Sequence, residues 1–296
     1  MERGESGAMV GPGWVREALG EATAALQAAG VDSPRLDAEV LLRAVLGWDR
    51  ARLYAGLTDP VAETALAEYR ALIARRVAGE PVAYLTGDRE FMGQPFVVGP
   101  GVLVPRPETE CLVEWLVARV RAEPRWAAGL VAVDVGTGSG AIACALAVEL
   151  PRARVVAIER SAAALPYARE NRRRLALERR VALVRGDLLG PVAGADVIAA
   201  NLPYLRPDQL HAGIDREPVE ALVSGDDGLD AYRALLPQVV GVLRTPGIFA
   251  AEIDPSQAEA MVGLCRGSFP GASVGMGRDL AGLERFVTVE VLSAEC

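Results

Sequence analysis

The 296-residue sequence contains no lysine, so all 31 basic side chains are arginines. That absence excludes Schiff-base chemistry and a phosphate-binding loop built around a lysine. There is a single histidine, His211, which rules out a multi-histidine zinc site and leaves any Ser-His-Asp or Cys-His arrangement with one candidate base. Four cysteines, Cys111, Cys144, Cys265 and Cys296, stand far apart with no C-x-x-C spacing. Neither a disulfide framework nor a metal knuckle is therefore indicated; they read as reduced thiols, and no metal is implied. No stretch approaches about 18 uninterrupted apolar residues, and Met1 to Pro12 is Gly-rich and acidic rather than basic then apolar. Neither a membrane span nor a secretory signal is read, and the chain is expected to be cytoplasmic. Positive charge is in deficit too: 31 basic against 39 acidic residues give −8, without the field that sequence-independent nucleic-acid binding requires. A local basic face remains allowed.

What is present is apolar surface. At 51% hydrophobic residues the chain can build a large core, and its length suggests about two domains. From Gly13 to about Leu85 the pattern is helical. Trp14, Ala18, Leu19, Ala22 and Leu26 recur at helical spacing and stop at Gly30; a second helix opens with Ser33-Pro34 and runs to Gly47. A third is expected from Asp59-Pro60 to Val77, and Leu46, Trp48 and Tyr54 read as core. Between about Pro81 and Pro107 glycine, proline and β-branched residues suggest one or two short hairpins. Pro107 then suits the first turn of a helix reaching about Arg121, with Glu108 and Glu110 where the helix dipole favours them. The expected division is a helical domain at 13–85, a hairpin connector at 86–106 and a catalytic domain at 107–296.

From Leu130 onward strand and helix alternate. Strands are read at Leu130–Val135, Arg154–Ile158, Val181–Val184, Asp196–Ala200, Ile248–Ile253 and Arg285–Leu292, with helices through Ala141–Leu150 and from Ser161. Such alternation gives an α/β, doubly wound, mostly parallel sheet whose ligands bind at the strands' carboxyl ends. Four motifs fall at those ends. Asp134-Val135-Gly136-Thr137-Gly138-Ser139-Gly140 closes one strand and opens a helix, a turn that lets a ligand lie against main-chain N–H groups. Glu159 ends the next strand, where a carboxylate can take both hydroxyls of a ribose. After the third strand, Asp187 can accept from an adenine amino group with Leu188 beside the ring; a plain loop aspartate explains it almost as well.

The fourth is Asn201-Leu202-Pro203-Tyr204. A planar amide or aromatic amino nitrogen is a poor nucleophile because its lone pair is delocalised. A site that methylates it must hold both N–H bonds with acceptors and aim the lone pair at an electrophilic methyl group. The Asn201 side-chain oxygen and the Leu202 carbonyl can be those acceptors, with Tyr204 against the flat substrate. His211 reads as a surface residue. Arg169, Arg172, Arg173, Arg174, Arg179 and Arg180 read as a solvated helix face partly balanced by Glu170 and Glu178, with RNA contact as the competing reading.

Together these motifs resemble class I S-adenosylmethionine-dependent methyltransferases acting on amino nitrogens, and more closely the family of peptide chain release factor glutamine methyltransferases. The resemblance extends to Pro81-Val82-Ala83-Tyr84-Leu85-Thr86-Gly87, Pro105-Arg106-Pro107-Glu108-Thr109-Glu110, Glu217-Pro218, Asp227-Gly228-Leu229, Ala251-Glu252-Ile253 and Arg278-Asp279-Leu280. It implies a seven-stranded methyltransferase sheet and S-adenosyl-L-methionine as cofactor, with S-adenosyl-L-homocysteine as product. Class 1 bacterial release factors are the implied partner, methylated on the glutamine amide of Gly-Gly-Gln, by a monomer needing neither membrane nor nucleic acid. Carried onto this sequence, Asp134, Gly136, Thr137, Gly138, Ser139, Gly140, Glu159, Asp187, Leu188 and Asn201 would hold the cofactor. Asn201, Leu202, Pro203 and Tyr204 would be catalytic, and these four with Arg106 and Glu108 would bind substrate. One departure is Leu202, where the family usually has proline. Asn-Leu-Pro-Tyr also resembles ribosomal RNA adenine dimethylases, so an N6-adenine methyltransferase acting on RNA or DNA stays open. A silent cofactor-binding protein would be expected to have lost Asn201 or the glycine loop, and an oxidoreductase lacks a catalytic lysine or placed histidine.

Overall fold

The computed structural model describes residues 13–292 except 212, so Cys296 and the first twelve residues lie outside the described part. The chain divides into two compact units, with the boundary between Thr86 and Gly87. The hairpin read as a connector therefore belongs to the second unit.

The first unit comprises β1 (Gly13–Trp14), α1 (Val15–Ala28), α2 (Pro34–Leu46), α3 (Arg50–Ala55), β2 (Pro60–Val61), α4 (Glu63–Val77) and α5 (Val82–Thr86). Leu19 and Leu26 of α1, Leu41 and Leu42 of α2, and Leu66, Tyr69 and Ile73 of α4 form one core, as their three-to-four spacing requires. Tyr69 satisfies its buried hydroxyl by donating to the Ala38 carbonyl at 2.9 Å. Gly47 ends α2 in the left-handed conformation. Three local readings differ. Ser33 makes no side-chain capping bond. Pro60-Val61 pairs antiparallel with Gly13-Trp14 and does not open a helix; α4 begins at Glu63. The short α3, whose first turn is capped by Asp49 accepting from the Arg52 N–H at 2.7 Å, is an additional helix, and Tyr54 on it is 45% exposed rather than part of the core.

The second unit opens with a hairpin, β3 (Asp88–Phe91) and β4 (Gln94–Val97), then α6 (Pro107–Ala122). There follow β5 (Leu130–Val135), α7 (Ala141–Glu149), β6 (Ala153–Glu159), α8 (Leu165–Arg174), β7 (Val181–Arg185), β8 (Ala195–Ala200), α9 (Asp230–Val242), β9 (Leu243–Glu252), α10 (Ala258–Ser268), β10 (Ser273–Arg278) and β11 (Glu284–Val291). Seven strands form one sheet in the order β10-β11-β9-β8-β5-β6-β7, and β11 alone runs against its neighbours. Residues alternate between two cores. Val197 and Ala199 of β8 join Leu112, Leu116 and Ile142 on one face, while Ile198 and Ala200 join Tyr232, Leu236 and Met261 on the other. The crossovers from β5 run to β6 and β7 on one side and the chain returns to β8 on the other. The strand order thus reverses between β5 and β8, the place where an open sheet of this kind leaves a crevice at its carboxyl edge.

Differences from the sequence reading have local causes. β10 carries no strand pattern in its sequence, since Gly275 and Gly277 depress its β propensity. The helix expected from Ser161 starts at Leu165, and the Ser161 N–H before it donates to the Glu159 carboxylate at 2.7 Å. Val82–Thr86 forms helix α5 in place of a hairpin strand.

Candidate active site

The carboxyl edge of the sheet carries a cavity of about 360 Å³. Of the expected cofactor residues, Gly136, Thr137, Gly138, Ser139, Glu159, Asp187, Leu188 and Asn201 line it, as do Leu202, Pro203 and Arg106. A second cavity of about 160 Å³ adjoins it, lined by Tyr204, Ile214, Leu222 and Glu252 among others. Leu103, Arg106, Asn201, Leu202 and Ala221 line both.

The glycine loop is built by backbone bonds. The N–H groups of Gly136 and Thr137 both donate to the Ile158 carbonyl at 2.9 Å, which folds the loop over the end of β6. Gly136 has φ +72°, and a Cβ there would meet a Leu202 methyl at 2.8 Å, so no side chain fits where the loop meets the end of β8. Glu159 clamps the loop from the other side: one carboxylate oxygen accepts from the Gly138 N–H at 2.8 Å and the other from Ser161. Its side chain is buried yet stands on the cavity wall.

Three expected contacts fall elsewhere. Asp134 is fully buried beneath the loop and is absent from the wall; it accepts from the Thr137 hydroxyl at 2.5 Å and the Ala143 N–H at 3.0 Å. It shapes the turn, since a side chain at the last inward position of β5 reaches the loop's underside. Gly140 is likewise off the wall and opens α7 with φ +84°. Glu108 sits in the first turn of α6 and lines neither cavity.

Burial pushes the Asp134 carboxyl up to about 7, with the charge of Glu159 adding to it, against the two hydrogen bonds, which favour the ionised form. Between about pH 4 and about pH 7 the folded protein holds this proton and the unfolded chain does not, so this group's contribution to stability falls as pH rises. Asp134→Asn removes that dependence. Thermal midpoints measured at about pH 5 and about pH 8 should shift in the variant's favour at the higher pH; equal differences at both would show that the carboxyl ionises normally.

Asn201 follows β8 on the wall shared by the two cavities. Its side-chain Nδ2 donates to the Thr109 hydroxyl at 3.1 Å, and among the described residues nothing donates to its Oδ1 or to the Leu202 carbonyl. Thr109 in turn donates to Glu252 at 2.5 Å, and the Tyr204 hydroxyl donates to the other Glu252 oxygen at 3.0 Å. Tyr204 therefore walls the second cavity with its hydroxyl engaged and does not line the larger one. Tyr232, fully buried, accepts from the Leu202 N–H at 3.3 Å and donates to the Glu252 carbonyl. Burial raises the Glu252 carboxyl, and the Thr109 and Tyr204 bonds oppose the shift.

Arg106 forms an ion pair at 2.5 Å with Glu217, whose side chain is wholly buried and accepts from the Val104 N–H at 2.9 Å. This pair ties the segment before α6 to the segment after β8. Sequence reasoning assigned no role to Thr109, Glu217, Tyr232 or Glu252. Thr109, Glu217 and Glu252 do fall in segments that resemble the family, and Glu252 is also polar where it ends the apolar run of β9, but neither signal assigns them a task. His211 is exposed and accepts from the Gly213 N–H at 3.1 Å. Arg173 and Arg174 pair with Glu170. Cys111, Cys144 and Cys265 are free thiols. Among the described residues no helix is long and apolar enough to cross a membrane.

Residues 17–87 match the family described as PrmC N-terminal domain, and residues 127–259 the one described as methyltransferase domain. The chain is 47% identical over 257 residues to the release factor glutamine methyltransferase of Moorella thermoacetica, covering 85% of this chain and 89% of that protein. It is 41% identical over 278 residues to the release factor glutamine methyltransferase of Mycolicibacterium smegmatis, covering 93% and 96%. Among solved structures, the T. thermophilus 16S rRNA N2 G1207 methyltransferase in complex with AdoMet and guanosine matches with a TM-score of 0.50 and 21% identity, over 69% of this chain and 49% of that chain. That last likeness concerns the fold.

Proposed function

This chain belongs to the release factor glutamine methyltransferase family, and from that premise we propose that it transfers a methyl group from S-adenosyl-L-methionine to the side-chain amide nitrogen of the glutamine in the Gly-Gly-Gln motif of class 1 bacterial release factors. The observation that carries the reading is the state of Asn201: its NH₂ is engaged by Thr109, which leaves Oδ1, beside the Leu202 carbonyl, as an acceptor on the wall common to both cavities.

The residues present fit the cofactor. The Gly136–Ser139 turn stands on the cavity wall, Glu159 offers a carboxylate to a ribose, and Asp187 and Leu188 line the same cavity. When bound, the cofactor supplies an electrophilic methyl group. The chain's own residues do the rest. Asn201 Oδ1 and the Leu202 carbonyl accept the two N–H bonds of the substrate amide, which fixes its plane and directs the nitrogen lone pair. As the nitrogen gains positive charge its N–H bonds become stronger donors, so these two acceptors stabilise the transition state more than the bound amide. The proton leaves afterwards, when the nitrogen is acidic, and no general base is required beforehand. Because Leu202 acts through its backbone, a leucine serves where the family usually has proline. Its carbonyl is held in place by the Tyr232 bond to its N–H and by the loop closing on its side chain.

The class of substrate is tested by incubating the protein with labelled S-adenosyl-L-methionine and, in parallel, a purified bacterial release factor and ribosomal RNA. Label on the release factor alone is expected. Label on the RNA alone would mean that Asn-Leu-Pro-Tyr marks an adenine methyltransferase.

A further inference from the structure

We propose that Thr109 and Glu252 are positioning residues that set which way the Asn201 amide faces. The two ends of an asparagine amide are nearly the same shape, and only one of them can accept an N–H bond from a substrate. Something must therefore distinguish them, and the chain Asn201 Nδ2–H to Thr109 Oγ1, Thr109 O–H to Glu252 does so. A threonine hydroxyl has one proton. Because Glu252 takes it, Thr109 has only lone pairs to offer Asn201, and a flipped amide would set oxygen against oxygen.

Glu252 is suited to impose this direction. It is 2% exposed, and a hydroxyl donates to each of its oxygens, Thr109 to one and Tyr204 to the other. Burial and the neighbouring Glu252 raise the Tyr204 hydroxyl far above its ordinary value, so Tyr204 keeps its proton and remains a donor. The carboxylate itself is fixed to β9, whose last residue it is, and the Tyr232 hydroxyl grips its backbone carbonyl. Three elements distant in sequence, the first turn of α6, the end of β8 and the end of β9, thus converge on one polar relay. This inference rests on the reading of Asn201 as the amide clamp, but its physical content, the orientation of a side chain, can be measured without any turnover.

The sequence makes that measurement simple, for it holds only two asparagines, Asn171 and Asn201. Protein labelled with ¹⁵N-asparagine should show two side-chain NH₂ pairs, assigned by the loss of one in Asn201→Ala. Asn171 is a fixed internal reference, its Nδ2 donating to the Val97 and Ser139 carbonyls at 2.9 Å. In Thr109→Val, which keeps the shape and removes the acceptor, the Asn201 pair should shift and lose protection from solvent exchange while the Asn171 pair stays in place. Thr109→Ser should restore the wild-type spectrum. Glu252→Gln, whose amide can point either end at Thr109, should give an intermediate or doubled Asn201 signal.

In turnover, Thr109→Val should lower kcat by roughly 10- to 100-fold, the size of one buried hydrogen bond, with the cofactor dissociation constant within about threefold of wild type. Thr109→Ser should recover most of the rate. An Asn201 pair unmoved in Thr109→Val overturns the inference whatever the activity. A displaced pair with undiminished turnover overturns the link between orientation and catalysis. If the wild-type protein transfers no methyl group to a release factor, the function reading fails while the spectra still decide the orientation.

Discussion

Asn201→Ala is expected to cut methyl transfer by about a thousandfold while moving the cofactor dissociation constant by less than about threefold. The size follows from what is lost. The substitution removes the one side-chain acceptor aimed at a nitrogen that gains charge during transfer, and the Leu202 carbonyl then remains alone. Removing one such preorganised group from a water-poor site costs about a hundred- to a thousandfold in other enzymes, and here the amide's orientation is lost as well. Cofactor binding is expected to change little because the proposed cradle is made by other parts: the backbone of Gly136 to Ser139, clamped on Ile158, and the Glu159 carboxylate. Titration calorimetry with the cofactor beside single-turnover transfer separates the two quantities. Full turnover in Asn201→Ala would remove the amide clamp from the mechanism.

The second large effect belongs to Glu159, and its sign is opposite in kind. Glu159→Ala should weaken cofactor binding by about a hundredfold, the loss of one charge-assisted bidentate contact, while kcat at saturating cofactor stays within about fivefold. The structure adds a sharper expectation. Both carboxylate oxygens accept backbone N–H bonds, from Gly138 at 2.8 Å and Ser161 at 2.7 Å. Glu159→Gln must therefore turn an NH₂ group toward one of these donors, and it should bind cofactor almost as poorly as the alanine variant. A glutamine variant with wild-type affinity would show that the loop clamp contributes nothing. Unaltered affinity in Glu159→Ala would remove the residue from the cofactor site.

How far the sequence could be read is seen in particular elements. β5 was legible to the residue, because Leu130 to Val135 is apolar except for Asp134 and is closed by Gly136. The positions of Gly136, Glu159, Asp187 and Asn201 at successive strand ends followed from counting strands, since a parallel sheet brings all those ends to one edge. β10 was not legible. Its Gly277 is there because a Cβ would strike the Phe286 ring at 1.9 Å across the strand pair, a reason that exists only once β11 is in place. The six-residue α3 is too short to show a period. Asp134 illustrates the limit at the site: its motif is readable, but whether a strand-end carboxylate faces the ligand or the underside of the loop depends on the pleat. The relay was beyond reach for a different reason. Thr109 and Glu252 lie 143 residues apart, and no local pattern pairs a helix's first turn with the end of a strand that follows it so much later.

The most direct test is to locate the methyl group. A release factor treated with the protein and labelled S-adenosyl-L-methionine is digested and its Gly-Gly-Gln peptide sequenced by tandem mass spectrometry, with the Gln→Ala release factor treated alongside. An amide clamp made by Asn201 and Leu202 predicts a single methyl group on the glutamine side-chain nitrogen and no label in the Gln→Ala protein. Methylation elsewhere in the release factor, or equal label on the Gln→Ala protein, would contradict it.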